Sequence, residues 1–200
     1  MRYLFFDIEK ATHLKHIKQI CEFGYIITNE LFQIIDRNNL IINPNISHKE
    51  WNWYTLKYIL TRERDEYEKS QDFSFYYEQI RKIISNADYI FGHTIDEDAE
   101  AINHDCKLSK LPSIDYKFYD IKILHKNYYQ KPNPYRLVDI LKELEVIGNN
   151  KEHDAECDAL NTMFALKAIL EKERITVEEL CQKCPQARKE SYKFVVKNYK

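Results

Sequence analysis

Arg2-Tyr3-Leu4-Phe5-Phe6-Asp7-Ile8-Glu9 is an apolar run that closes on two carboxylates. Tyr3 through Phe6 carry no polar interruption, the pattern of a strand buried on both faces near the middle of a sheet. Asp7 and Glu9 lie two residues apart, so in a strand both side chains point to one face. Unpaired buried charge is costly, and a strand that ends this way calls for a neutralising cation. A pair of divalent metal ions is the expectation; a charge pair at a sheet edge is the competing reading.

Working outward, Gln19 to Thr28 and Leu31 to Ile42 are further apolar segments separated by Asn29-Glu30, which predicts a hairpin. Three strands in succession leave no room for crossover helices, so the sheet begins antiparallel. A short helix is expected within Ile46 to Leu60, and Thr61 to Gln71 reads as a charged connection. Asp72 reads as the N-cap of a helix through Ile84. Asp88 to Gly92 and Tyr116 to Tyr119 read as a fourth and a fifth strand. Helices are expected at about 96–108, 120–128 and 136–145, and a long one ends near Lys172. Thr176 to Glu179 is a capping box, and a last helix is expected from about Gln186. This order predicts an α/β fold, a mixed five-stranded sheet with an antiparallel hairpin and parallel strands, flanked by helices. Sites in such sheets gather at the carboxyl ends of central strands.

Composition bounds the function. The 200 residues fit one domain, and 44% hydrophobic residues suit a packed globular chain. Three glycines leave little room for a glycine-rich phosphate loop, and no GxxxxGK[ST] is present. Met1 leads straight into the first strand and no apolar run is long enough to span a bilayer, so the expectation is a cytoplasmic protein with no membrane association. Five scattered cysteines argue for a reducing compartment, and the Cys181/Cys184 pair reads as reduced thiols rather than a metal site. Net charge is −2, yet Cys181 to Lys200 holds six basic residues against one acid. The remainder is correspondingly acidic, as a metal-binding centre would be.

Two more acidic clusters follow the first. Gly92-His93-Thr94-Ile95-Asp96-Glu97-Asp98 places three acids directly after a strand, where a helix dipole or a bound cation must offset their repulsion. An acid-rich first helical turn is the plain alternative. His153-Asp154-Ala155-Glu156-Cys157-Asp158 opens the long helix, with Ala155 and Ala159 small enough to let it approach the sheet; His153 also reads as a simple cap or surface residue. DxE spacing is cheap, since chance predicts about one such pair. The chain has three, Asp7/Glu9, Asp98/Glu100 and Asp154/Glu156. Taken together, carboxylates from separate segments suit hard ions such as Mg²⁺, and a histidine near pKa 6.5 suits proton transfer at neutral pH.

FFDIE, GHTIDED and HDAECD, in that order, resemble the three motifs of the DEDD exonuclease superfamily, histidine subclass, the group that includes the proofreading subunit of the bacterial replicative polymerase. The resemblance spans Leu4 to about Leu170. It implies a ribonuclease H-like fold and 3′→5′ hydrolysis of single-stranded nucleic acid, DNA favoured over RNA, releasing nucleoside 5′-monophosphates. It implies Asp7, Glu9, Asp98 and Asp158 as ligands of two Mg²⁺ or Mn²⁺ ions, His153 as general base, and Ala11, Thr12, His93 and Thr94 as substrate contacts. Counting from His93-Thr94 selects Asp98 over Asp96. Thr94 and Glu97 depart from the usual Asn and Phe, and Ala11 with Thr12 stands where a Thr is common.

The expected division is an exonuclease domain over 1–172 and a C-terminal helical extension over 173–200. Expected partners are 3′ ends and a polymerase or another replication or repair protein. Phe6, Trp51, Trp53 and Tyr54 are candidates for stacking on bases, and Lys189, Lys193 and Lys197 for following a phosphate backbone or for facing solvent. A non-catalytic binding subunit of a replication or RNA-processing complex is the rival from another class.

Overall fold

The computed structural model describes residues 1–12, 19–132, 136–149 and 153–194. The strands are β1 (Arg2–Lys10), β2 (Ile20–Asn29), β3 (Ile34–Ile41), β4 (Tyr89–Gly92), β5 (Lys117–Asp120) and β6 (Arg188–Glu190). They form one sheet in the order β3-β2-β1-β4-β5-β6, so the opening run lies near its centre. β1–β4 and β4–β5 are parallel; β1–β2, β2–β3 and β5–β6 are antiparallel. The hairpin turns at Asn29, whose side chain accepts from the backbone N–H groups of Leu31 and Gln33.

The helices are α1 (Trp53–Tyr58), α2 (Arg64–Lys69), α3 (Phe73–Ser85), α4 (Asp96–Leu108), α5 (Ile121–Tyr128), α6 (Leu137–Glu143), α7 (Ala155–Glu173) and α8 (Val177–Lys183). Alternation along β1 divides the core. Leu4, Phe6 and Ile8 face a layer built from α3 and α4, while Tyr3 and Phe5 face α5, α7 and α8. Asp7 and Glu9 continue the second of these rows past its apolar part. A smaller cluster of Ala11, Cys21, Trp51, Leu60 and Tyr67 fastens the α1–α2 layer beside them.

α7 reaches the sheet because of Gly24. A Cβ there would stand 2.0 Å from the backbone carbon of Ala155 and 2.1 Å from the nitrogen of Glu156, an impossible overlap. Gly24 is the cross-strand partner of Asp7, so the close approach delivers the first turn of α7 to the carboxylates.

Several expectations require correction. The sheet has six strands, not five, and the helix expected from Gln186 is absent up to Phe194. In its place a 3₁₀ turn at Pro185–Ala187 leads into β6 and a second 3₁₀ turn at Ser191–Lys193. Non-local bonds hold this segment extended. Ser191 Oγ donates to the Ile114 carbonyl, the Tyr116 N–H donates to Ser191 Oγ, and Asn103 Nδ2 donates to the carbonyls of Ser191 and Phe194. Residues 195–200 of that expected helix, Lys197 among them, lie outside the described residues. α1 begins only after Asn52, whose side chain caps it, and the charged connection contains α2, which starts with a capping box on Glu63. All five cysteines are free, and burial pushes the Cys181 thiol up to about 12. No helix among the described residues is long and apolar enough to cross a membrane.

Candidate active site

β1 continues beyond the carboxyl end of β4, since Phe5 pairs with Phe91 and the chain turns away after Gly92. Asp7 and Glu9 therefore stand at the mouth of the sheet. α4 begins at once after β4 and brings Asp98 from one side; α7 brings Asp158 from the other. Asp7, Glu9, Asp98, Asp158, His153, His93 and Thr94 all line one cavity of about 740 Å³. Its opposite wall is α6 and the loop after it, with Leu137, Leu141 and Val146.

The carboxylates repel one another. Burial, followed by Asp98, Glu9 and Asp158, raises the Asp7 carboxyl well above its ordinary range, with Lys10 opposing. Burial, Asp158, Glu22 and Asp98 do the same to Glu9. Asp98 is 5% exposed, and burial pushes it up to about 8 despite Lys10 nearby. Its Oδ2 is buried and accepts no hydrogen bond among the described residues. Lys10, whose Nζ lies 2.9 Å from Glu97, is the cation closest in chain to these acids.

His153 sits at a positive φ of 64° just before α7. Its N–H donates to Asp158 Oδ2 at 3.1 Å, and its Nδ1 lies 4.0 Å from Glu9 Oε1. Glu9, His153 and Asp158 bring ligand atoms within 4.8 Å of one another, a spacing suited to one metal ion. Oxygen-rich donors, an unbonded buried carboxylate oxygen and mutual repulsion all fit hard divalent ions. The residues present fit such a cofactor.

Asp96 belongs elsewhere: its carboxylate accepts from Lys189 Nζ. The same bond occupies one of the lysines proposed to follow a phosphate backbone, and Lys193 pairs with Glu190 at 3.2 Å. Ala11 and Thr12 do not line the cavity. The strand bulges between Glu9 and Lys10, and both following side chains turn into the interior. Phe6 and Trp51 are buried as well, so only Trp53 and Tyr54 of the stacking candidates face solvent.

Sequence reasoning missed four residues. Asp120 accepts from the Thr94 N–H at 3.3 Å and the Lys122 N–H at 2.9 Å, which holds the turn carrying His93. Asn161 accepts from the Asn149 N–H at 2.7 Å and fixes the cavity loop. Glu22 and Gly24 were signalled, as an acid and a glycine inside an otherwise apolar strand.

A nuclease is the class that the family match and the likeness of this fold support. The chain belongs to the RNase_T exonuclease family, whose model matches residues 4–166, and so to the DEDD exonuclease superfamily. No curated protein sequence matches it. Among solved structures it resembles a 3′-exonuclease described in 3′-end-specific recognition of the histone mRNA stem-loop, at 14% identity and a TM-score of 0.74 over 86% of this chain and 64% of that one. The nuclease domain of 3′hExo, a DEDDh family member bound to rAMP, aligns at 16% identity and 0.71, covering 86% and 92%. E. coli Exonuclease I in complex with a dT13 oligonucleotide aligns at 16% and 0.68, covering 86% and 41%. At these identities the likeness is one of fold. The chain spans less than two thirds of the first-mentioned exonuclease.

Proposed function

We propose that the protein is a divalent-metal-dependent exonuclease that removes nucleoside 5′-monophosphates from the 3′ end of single-stranded nucleic acid. The observation that carries this reading is the convergence of Asp7, Glu9, Asp98 and Asp158, with His153, on one cavity. Asp7, Glu9, Asp98 and Asp158 would hold two Mg²⁺ or Mn²⁺ ions, which supply positive charge to the phosphodiester and acidify a water. His153 takes the proton of the attacking water, from a loop position that leaves its ring partly exposed at the cavity. Glu9 Oε1, 4.0 Å from its Nδ1, is the carboxylate beside the ring. The apolar wall of α6 faces the base and sugar of the terminal nucleotide, and Lys142 on that wall faces its phosphates.

The nucleic-acid ligands named for the neighbouring structures, rAMP and dT13, agree with this chemistry. Matched DNA and RNA oligonucleotides labelled at the 5′ end, incubated with Mg²⁺ or Mn²⁺, are expected to shorten one nucleotide at a time, and chelator is expected to stop the reaction. Internal cuts, or no shortening of either polymer with either ion, contradicts the reading.

A further inference from the structure

α1 presents a cluster of rings that the cavity does not use. Trp53, Tyr54 and Tyr58 are 66%, 53% and 51% exposed. Tyr58 lies 5.7 Å from Trp53 and 5.1 Å from Tyr54, ring centre to ring centre, so the three make one continuous surface. Lys57 Nζ sits 5.1 Å from the Trp53 ring and 5.0 Å from the Tyr58 ring. Large exposed aromatics in contact with one another are costly to leave in water and mark a binding surface.

The patch is rigidly mounted. Thr55, on the opposite side of α1, is buried, and Leu56 packs against the Trp51–Tyr67 cluster. Tyr67 in turn donates its hydroxyl to the buried Glu22. Glu22 is the cross-strand partner of Glu9, so the platform is tied to the strand that carries the acidic site. It is also continuous with the cavity, because Ile59, next to Tyr58, lines it.

We propose that Trp53, Tyr54 and Tyr58, with Lys57, form a stacking platform for bases of the single strand upstream of the nucleotide held in the cavity. Charge favours this occupant. The charged side chain lying over these rings is Lys57, a cation in a chain of net charge −2. Flat rings beside a lysine suit bases and a phosphate backbone of any sequence. This proposal rests on the nucleic-acid reading above, and its test separates the two.

The intact chain is titrated in Mg²⁺ and fixed salt with a thymidine 12-mer whose 3′-terminal linkage is a phosphorothioate. Trp51 is 7% exposed and Trp53 is the accessible indole, so Trp fluorescence reports the platform. Saturable quenching is expected in the wild-type chain, and, with affinity in every variant read by the anisotropy of the same 12-mer carrying a 5′ fluorophore, Trp53→Ala with Tyr58→Ala is expected to weaken binding about tenfold. Trp53→Phe alone keeps most of the affinity. Binding without quenching, unchanged affinity in the double variant, or burial of the patch in a homodimer that Trp53→Ala dissociates overturns the platform. Wild-type cleavage of an unmodified 12-mer is scored separately. Quenching and ring-dependent binding without any cleavage leaves the platform standing and overturns the nuclease reading.

Discussion

Glu9 and Glu22 face each other across β1 and β2, both buried, and their surroundings differ completely. Glu22 is satisfied: Tyr67 donates its hydroxyl to Oε1 and Asn39 Nδ2 donates to Oε2 at 2.6 Å, with Arg62 at 4.0 Å. Glu9 faces Asp158, Asp98 and Asp7 as well as Glu22 itself, with the His153 ring 4.0 Å away and Lys10 offsetting the acids. The same residue type at adjacent positions is structural in one case and poised for a cation in the other. What separates them is whether the protein supplies the partner, not how deeply the carboxylate is buried. Asp96 and Asp98 repeat the contrast two residues apart: each keeps one buried oxygen without a hydrogen bond among the described residues, but Asp96 pairs with Lys189 through its other oxygen while Asp98 lines the acidic cavity.

The largest effect is expected at this second pair. Asp98→Ala should lower the rate of nucleotide release at least about 10²-fold, the scale for removing a preorganised charge at a reacting centre. Asp96→Ala should lower it by less than about threefold. Equal losses in a steady-state assay would erase the distinction between paired and converging acids.

Gly24→Ala is the next largest. Its methyl group overlaps the backbone at Ala155, so α7 must shift, at a cost of about 1–3 kcal/mol, the usual scale for overpacking. Because the shift withdraws Asp158 from Asp7, activity should fall further than a thermal melt alone explains. A variant with wild-type melting temperature and activity would show that the approach of α7 is not what positions the acid.

The glutamates themselves should move stability in opposite directions. Glu22→Ala strands the Tyr67 hydroxyl and the Asn39 amide and should cost about 1–3 kcal/mol in chemical denaturation. Glu9→Gln removes a like charge and should raise the melting temperature of the metal-free protein. Destabilisation by both would mean that Glu9 has a partner of its own.

Acidity gives a smaller, graded effect. Asp7, Glu9 and Asp98 are all raised above their unfolded values, Asp98 to about 8. The folded state therefore holds more protons than the unfolded chain between about pH 4 and pH 8. The stabilising contribution of these groups is complete below pH 4 and is lost as pH rises through their folded values. Metal-free protein should lose melting temperature across that window, and Mn²⁺ should restore more of it at pH 8 than at pH 5. A gap that is constant with pH would disconnect ion binding from these carboxyls.

The parts of the fold that sequence could reveal are those written locally. Asp72 caps α3, Thr176 opens α8 with its capping box, and α4 spans the expected 96–108. The apolar run of β1 announced a central strand. β6 was hidden because the spacing of Tyr192, Val195, Val196 and Tyr199 suits a helix, while the bonds from Asn103, Ile114 and Tyr116 that hold the segment extended come from about 75 to 90 residues away. The site was legible as residue types in three motifs, and α4 sends the two acids weighed by the count to different places, Asp98 to the cavity and Asp96 to Lys189. Trp51 and Phe6 could not be told from Trp53 by type, since only packing decides which ring faces water. Nor could Glu22 be told from Glu9, because Tyr67 and Asn39 reach it from distant segments.

Calorimetric titration of the metal-free chain with Mn²⁺ at neutral pH tests most directly whether the converging acids form a cation site. Two ions per wild-type chain are expected, with at least one lost in Asp98→Ala and neither lost in Asp96→Ala. No binding to the wild-type chain, or the same stoichiometry and affinity in all three proteins, would contradict it.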